Sequence, residues 1–192
     1  LDKAGNVTPR ISYAYPKTRQ FVISLLKEMA EYGVDGVGLL YNRRPPLVEY
    51  ELPIVNGFKT EYGEDPRELP DDDRRWLKYR ARVLTQFMHE VRQAMDEVAE
   101  QLGRKERIGI TAITMKDEQE NLINAMDVEA WVDEGVVDTI IAYTSAPNLS
   151  GMDDGWTNPE DAKWFIDITK DKPVTLALNL MPRYIAPEEY RR

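Results

Sequence analysis

The sequence contains no cysteine and a single histidine, His89. Disulfides, thiol catalysis and thiolate metal sites are therefore excluded, and a histidine-based metal centre has no second ring to draw on. Basic charge is also scarce. Twenty-five Lys and Arg stand against 34 Asp and Glu, giving a net charge of −9 and a pI near 4.8, so no positive field exists to hold nucleic acid or an anionic membrane surface. No apolar run approaches the roughly 18 residues that cross a bilayer. Residues 1–8 lack the basic and apolar regions of a signal peptide. The compartment stays open, export included, because exported proteins can also lack cysteine.

What is present is an ordinary globular balance, 42% hydrophobic and 31% charged over 192 residues, enough for one sizeable core. Phe21, Val22, Leu25, Leu26 and Met29 recur at spacings of three and four, and Gly33 follows as a stop, so residues 16–32 read as an amphipathic helix. Residues 37–41 form an apolar run too short for a helix and read as a buried strand. A long polar, proline-rich loop is expected from there to about Asp73. Leu84, Phe87, Met88, Val91, Met95, Val98 and Leu102 make one stripe of a second helix that ends at Gly103, its other face charged. Strands are expected over residues 108–115, 137–143 and 174–180, with helices over residues 128–134 and from Asn158-Pro159 through Ile168; Pro187 opens a last one.

Strands alternating with helices imply a parallel sheet with crossover connections. Connections into the strands are short, whereas those leaving them are long and rich in Tyr, Asn, Arg and acids, which suits a barrel with its site at the strand carboxyl ends. A dinucleotide fold is disfavoured because no G-x-G-x-x-G follows any strand. The expected fold class is thus α/β, a partial (β/α)8 TIM-type barrel of about four parallel strands with crossover helices, since closure takes about eight strands and roughly 250 residues. Residues 1–192 are expected to be one segment of such a barrel, cut at both ends. The uncovered face and edges call for the remainder of the barrel or a second copy of the segment.

The stretch Val34-Asp35-Gly36-Val37-Gly38-Leu39-Leu40-Tyr41-Asn42-Arg43 resembles the D-G-[IVL]-x-[LF]-D-[YF]-x-R strand of the family 10 glycosylhydrolase-like proteins. Ser12-Tyr13-Ala14-Tyr15-Pro16 is similar to the segment before that strand, and Asp127-Val128-Glu129-Ala130-Trp131 through Asp138 to the family's D-V-x-x-W-x-x-x-G-x-[VI]-D turn. Pro182-Arg183-Tyr184 with Pro187-Glu188-Glu189-Tyr190 is a further match. The resemblance implies a glycosidase-like barrel that binds carbohydrate at its strand carboxyl ends. Any hydrolysis would use carboxylate acid and base groups and need no metal or other cofactor.

This sequence departs from the pattern where the family has an acid at the strand's end, because Leu40 stands there. Strand alternation puts Gly38, Leu40 and Asn42 on one face. Glycoside hydrolysis normally uses two carboxyl groups, and a leucine replaces neither. Glu49 and Glu51, in the loop after this strand, are the candidate catalytic acids, although loop carboxylates are also commonly solvated or paired with neighbours such as Arg43 and Arg44. Tyr41, Asn42, Arg43, Arg44, Tyr143 and Asn179 are candidate substrate-binding residues. The tyrosines are suited to stacking on sugar rings, or equally to packing in the barrel rim. The competing reading is a carbohydrate-binding or scaffold barrel that has lost its acid. The acidic run of residues 64–73 lacks the spacing of a calcium loop and reads as helix capping, and His89 reads as a surface residue.

Overall fold

The computed structural model describes residues 1–42, 46–143 and 159–178. In chain order it builds α1 (Pro16–Glu31), β1 (Gly36–Leu40), α2 (Leu52–Tyr62), α3 (Arg74–Gln101), β2 (Gly109–Thr114), α4 (Glu118–Ile123), α5 (Val128–Asp133), β3 (Thr139–Ala142), α6 (Lys163–Thr169) and β4 (Thr175–Leu178). The strands form one sheet in the order β1-β2-β3-β4, every pair parallel. The sheet is open, as expected of part of a TIM-type barrel.

The expected strands and main helices are present. Gly33, Gly103 and Gly135 end α1, α3 and α5 with φ of 81°, 64° and 65°, a conformation that only glycine adopts without cost. The expected polar loop across residues 46–73 is corrected: α2 lies within it. Pro53 stands in the first turn, where a missing N–H costs nothing, and Ile54, Val55 and Phe58 bury one face. Proline and Gly57 read as loop punctuation, yet one sits at a helix start and the other lies under the Tyr79 hydroxyl, where a Cβ would clash at 2.2 Å. The last expected helix and the end of the fourth strand, residues 179–192, lie outside the described residues, as does Asn158.

Strand alternation divides the sheet into two unlike faces. Val37, Leu39, Ile110, Ala112, Ile140 and Ala142 are buried in the main core. There they meet Leu84, Phe87, Met88, Val91, Met95 and Val98 of α3, the stripe read from the sequence except for Leu102, which caps the helix and is exposed. The other face carries Leu40, Ile113, Ile141 and Ala177 in one row and Gly38, Thr111, Thr139 and Thr175 in the next. No described element covers this second face, and Leu40 is 58% exposed.

The amino ends of the strands are tied by charge. Asp138, at the entry to β3, accepts the Ile110 N–H at 2.7 Å and an Arg92 N–H at 3.0 Å. Arg92 is 7% exposed and also donates to Asp96 at 2.5 Å and to the Ile108 carbonyl at 2.9 Å. Asp35, the counterpart of Asp138 in the turn into β1, pairs with Arg104 at 2.9 Å. The Asp35 side chain is fully exposed, whereas that of Asp138 is largely covered and bonds a strand N–H.

Candidate active site

The region after β1 is built on the amino-terminal half of α3, which is long enough to run past the strands. A satellite core forms there from Val48, Ile54, Val55, Phe58, Trp76 and Ala125. The chain leaving β1 is pressed onto it through Tyr50, whose ring lies 5.0 Å from that of Trp76. Residues before α1 join from the other side. The Leu1 carbonyl accepts the Tyr50 N–H at 3.0 Å, and Lys3 bonds the Leu69 carbonyl at 2.7 Å and Asp71 at 2.6 Å.

This packing separates the two candidate acids. Glu51 is 5% exposed, and its Oε2 accepts the Glu49 N–H at 2.9 Å. Its carboxylate therefore folds the loop back on itself at the entrance to α2. Glu49 is half-buried and has access to solvent.

Arg80, a residue the sequence reading passed over as part of the charged face of α3, lies beneath this loop. It is 6% exposed, donates to the Ile123 carbonyl at the end of α4 at 2.5 Å, and stands 5.9 Å over the Trp76 ring. Burial lowers its pKa, and the charges of Tyr50, Glu49, Glu51 and Asp71 act in the opposite direction. The guanidinium is thus a buried positive charge in the field of these acids; its hydrogen bond holds the end of α4, after β2, and its Nε has no hydrogen-bond partner. Periodicity offered one signal: Arg80 falls three residues after Leu77 and four before Leu84, on the stripe side of the helix.

The remaining candidates fall on both sides of the sheet. Tyr41, expected to meet substrate, is 3% exposed and faces the helices, with its hydroxyl 3.1 Å from Met88 Sδ and its ring 5.4 Å from that of Trp131. It alternates with Leu40, so it points into the core, and burial raises its pKa well above 10. Asn42 follows Leu40 on the open side by the same alternation; its Oδ1 is enclosed and accepts no hydrogen bond. Tyr143 is half-buried at the end of β3. Arg43, Arg44 and Asn179 lie outside the described residues. After β2, the buried Asn121 shapes the loop by accepting the Met115 N–H at 2.9 Å and donating to the Asp117 carbonyl at 2.7 Å.

The acidic run serves as capping. Asp65 accepts the Arg67 N–H at 3.0 Å, and Asp73 caps α3 through the N–H groups of Arg75 and Trp76 at 2.9 and 3.3 Å. Arg67 beside Asp65 holds that carboxyl far below the usual aspartate range. His89 is surface-exposed and pairs with Glu134. Among the described residues, no group of three or more His, Asp and Glu is placed to hold a metal ion.

An open sheet of four parallel strands with crossover helices defines an α/β domain of partial TIM-barrel type. The family described as glycosyl hydrolase-like 10 matches residues 4–186, and the chain belongs to it. No curated protein matches the sequence.

Proposed function

We propose that this domain binds carbohydrate in a cleft at the carboxyl ends of its strands, and that Glu49 is the carboxylate through which it takes part in glycoside hydrolysis. The observation that carries the reading is the enclosed Oδ1 of Asn42, an acceptor without a donor at the end of β1. A buried acceptor left unmade costs about 1–3 kcal/mol, and a sugar hydroxyl entering the cleft would supply the missing donor. Membership of a glycosyl hydrolase-like family supports the substrate class. Glu51 acts through Glu49 by holding the loop, and the buried charge of Arg80 favours the acids of that loop. Tyr143, at the end of β3, is assigned to substrate binding, as are Arg43, Arg44 and Asn179, which lie outside the described residues. The chemistry needs a second carboxyl group, about 5–5.5 Å from the first for retention or roughly 6.5–9.5 Å for inversion. That group comes from strand ends beyond the four of this sheet.

One observation favours a second reading, a carbohydrate-binding barrel without turnover. Leu40 occupies the position of the family's strand-end acid, and its side chain stands on the open face.

The test is an oligosaccharide panel with binding and reducing-sugar release followed in the same samples, using the longest natural polypeptide that contains this domain. Turnover lost in Glu49→Gln with binding retained supports the hydrolase reading, and Asn42→Ala should weaken binding in either case. Binding without turnover in the wild type selects the second reading. Absence of any binding refutes both.

A further inference from the structure

We infer that Glu120, in the first turn of α4, accepts a sugar hydroxyl beside Asn42 and is a specificity-determining residue of the cleft; the inference rests on the carbohydrate reading above. Its Oε2 is enclosed and accepts no hydrogen bond. Asn42 Oδ1 is the other enclosed side-chain oxygen without a donor among the described residues, whereas the enclosed atoms of Trp76, Arg80 and Arg92 in that condition are nitrogens. Enclosed acceptors left unmade are costly, so both oxygens call for a donor.

Backbone pairing brings the two residues to the same end of the sheet. The Tyr41 N–H donates to the Ile113 carbonyl at 3.0 Å, which continues the β1–β2 ladder and sets Asn42 level with the end of β2. Asn121 clamps α4 onto that end, because its side chain accepts the Met115 N–H at 2.9 Å and donates to the Met115 carbonyl at 3.3 Å. The helix then sets the direction of Glu120. Leu122 clusters with Leu77 and Ala81 of α3, and Glu118 pairs with Arg74 of α3 at 2.5 Å. Those two are four residues apart and share one side of α4. Glu120 stands midway between them in sequence, roughly 200° around the helix from each. It therefore projects away from α3, and its Oε1 lies 3.2 Å from the ammonium of Lys116, where the chain leaves β2.

Local capping leaves Oε2 unused. Asp117-x-x-Glu120 has the pattern of a capping box, in which the glutamate reaches back to the N–H of the capping residue. Asp117 does accept the Glu120 N–H at 2.7 Å, but Glu120 turns Oε1 to Lys116 and Oε2 to no donor. The Glu120 side chain is 30% exposed and the last torsion of a glutamate is soft, so a rotation of the carboxylate presents Oε2 to a ligand. Lys116 already supplies a cation at this carboxylate, and a ligand carboxylate would set acceptor against acceptor. A neutral hydroxyl donates without adding charge, which suits Glu120 and Asn42 alike.

The test pairs protein variants with monodeoxy analogues of the oligosaccharide bound best by the longest natural polypeptide that contains this domain, with affinities read by calorimetry. Removing one hydroxyl should weaken wild-type binding about tenfold, the scale of a hydrogen bond to a charged group. Glu120→Ala should bind the parent sugar as weakly as the wild type binds that analogue, and removing the same hydroxyl should then cost nothing further. Glu118→Ala, on the α3 side of the same helix, should keep both the affinity and the discrimination, which separates recognition from damage to α4. Unchanged binding in Glu120→Ala, or weaker binding with the discrimination retained at every position, would overturn the inference while leaving the carbohydrate reading intact. A wild type that binds no oligosaccharide would overturn that reading and the inference with it.

Discussion

Replacing Asp138 with alanine should destabilise the domain by about 3 kcal/mol, a figure built from the bonds it makes. At 3.0 Å from Arg92, the gross attraction at an effective dielectric near 20 is roughly 5 kcal/mol. Desolvation of the buried guanidinium offsets part of this. Removing one partner of a buried pair costs about 3–5 kcal/mol; here the lower end applies, because Arg92 keeps Asp96 at 2.5 Å and the Ile108 carbonyl at 2.9 Å. The Ile110 N–H would also lose its acceptor. Asparagine retains an acceptor for that N–H and loses only the charge, so Asp138→Asn should cost about 1 kcal/mol. Urea unfolding should show the midpoint shifting with the slope unchanged. Arg92→Met combined with Asp138→Ala should cost less than the sum of the two, since the pair is coupled. A change for Asp138→Ala within roughly 0.5 kcal/mol, the range of an ordinary surface substitution, would refute the view that this brace holds the amino ends of β2 and β3.

The remaining predictions concern local geometry and titration. Gly36→Ala should destabilise by about 1–3 kcal/mol through overpacking, because its Cβ would lie 2.9 Å from the Gly109 carbonyl oxygen, whereas Gly38→Ala meets nothing within 4 Å and should be tolerated; thermal melts of the pair decide. Asp73→Ala should cost about 1 kcal/mol as a lost helix cap. Hydrogen bonds from Arg75 and the backbone lower the Asp73 pKa below its ordinary 3.8, so its contribution is full above that value and lost as the pH falls through the lower folded value. The acid limb of the wild-type stability curve should accordingly flatten in Asp73→Asn. Alkaline difference spectra should show that Tyr41→Phe removes a tyrosine that titrates above the ordinary value, and sugar binding should be unchanged in that variant because the ring lies in the core.

Much of the scaffold was legible from residue order alone. The α3 stripe, the short apolar strands and the glycine stops are local patterns, set by the 3.6-residue and two-residue repeats and by the backbone conformations glycine permits. Alternation along β1 likewise put Gly38, Leu40 and Asn42 on one face, and it should have placed Tyr41 on the other, core side. α2 was hidden because Pro53 and Gly57 are breakers in isolation, and its helical state depends on Phe58 and Ile54 finding Trp76 some 20 residues later.

The sequence by itself determined the family, the parallel α/β order and the candidate acids Glu49 and Glu51, because these rest on short motifs and near-neighbour spacing. Only the tertiary structure decided which charged groups are covered. Arg80 and Arg92 read as part of a solvated helix face, but both are buried, one bonded at the end of α4 and the other at the amino ends of β2 and β3. Burial of a charge depends on what arrives from far along the chain, and the periodicity that puts Arg80 on the stripe side of α3 does not say what covers it. The same holds for Glu51, which differs from Glu49 only by two positions in sequence yet is enclosed, while Glu49 keeps its access to solvent.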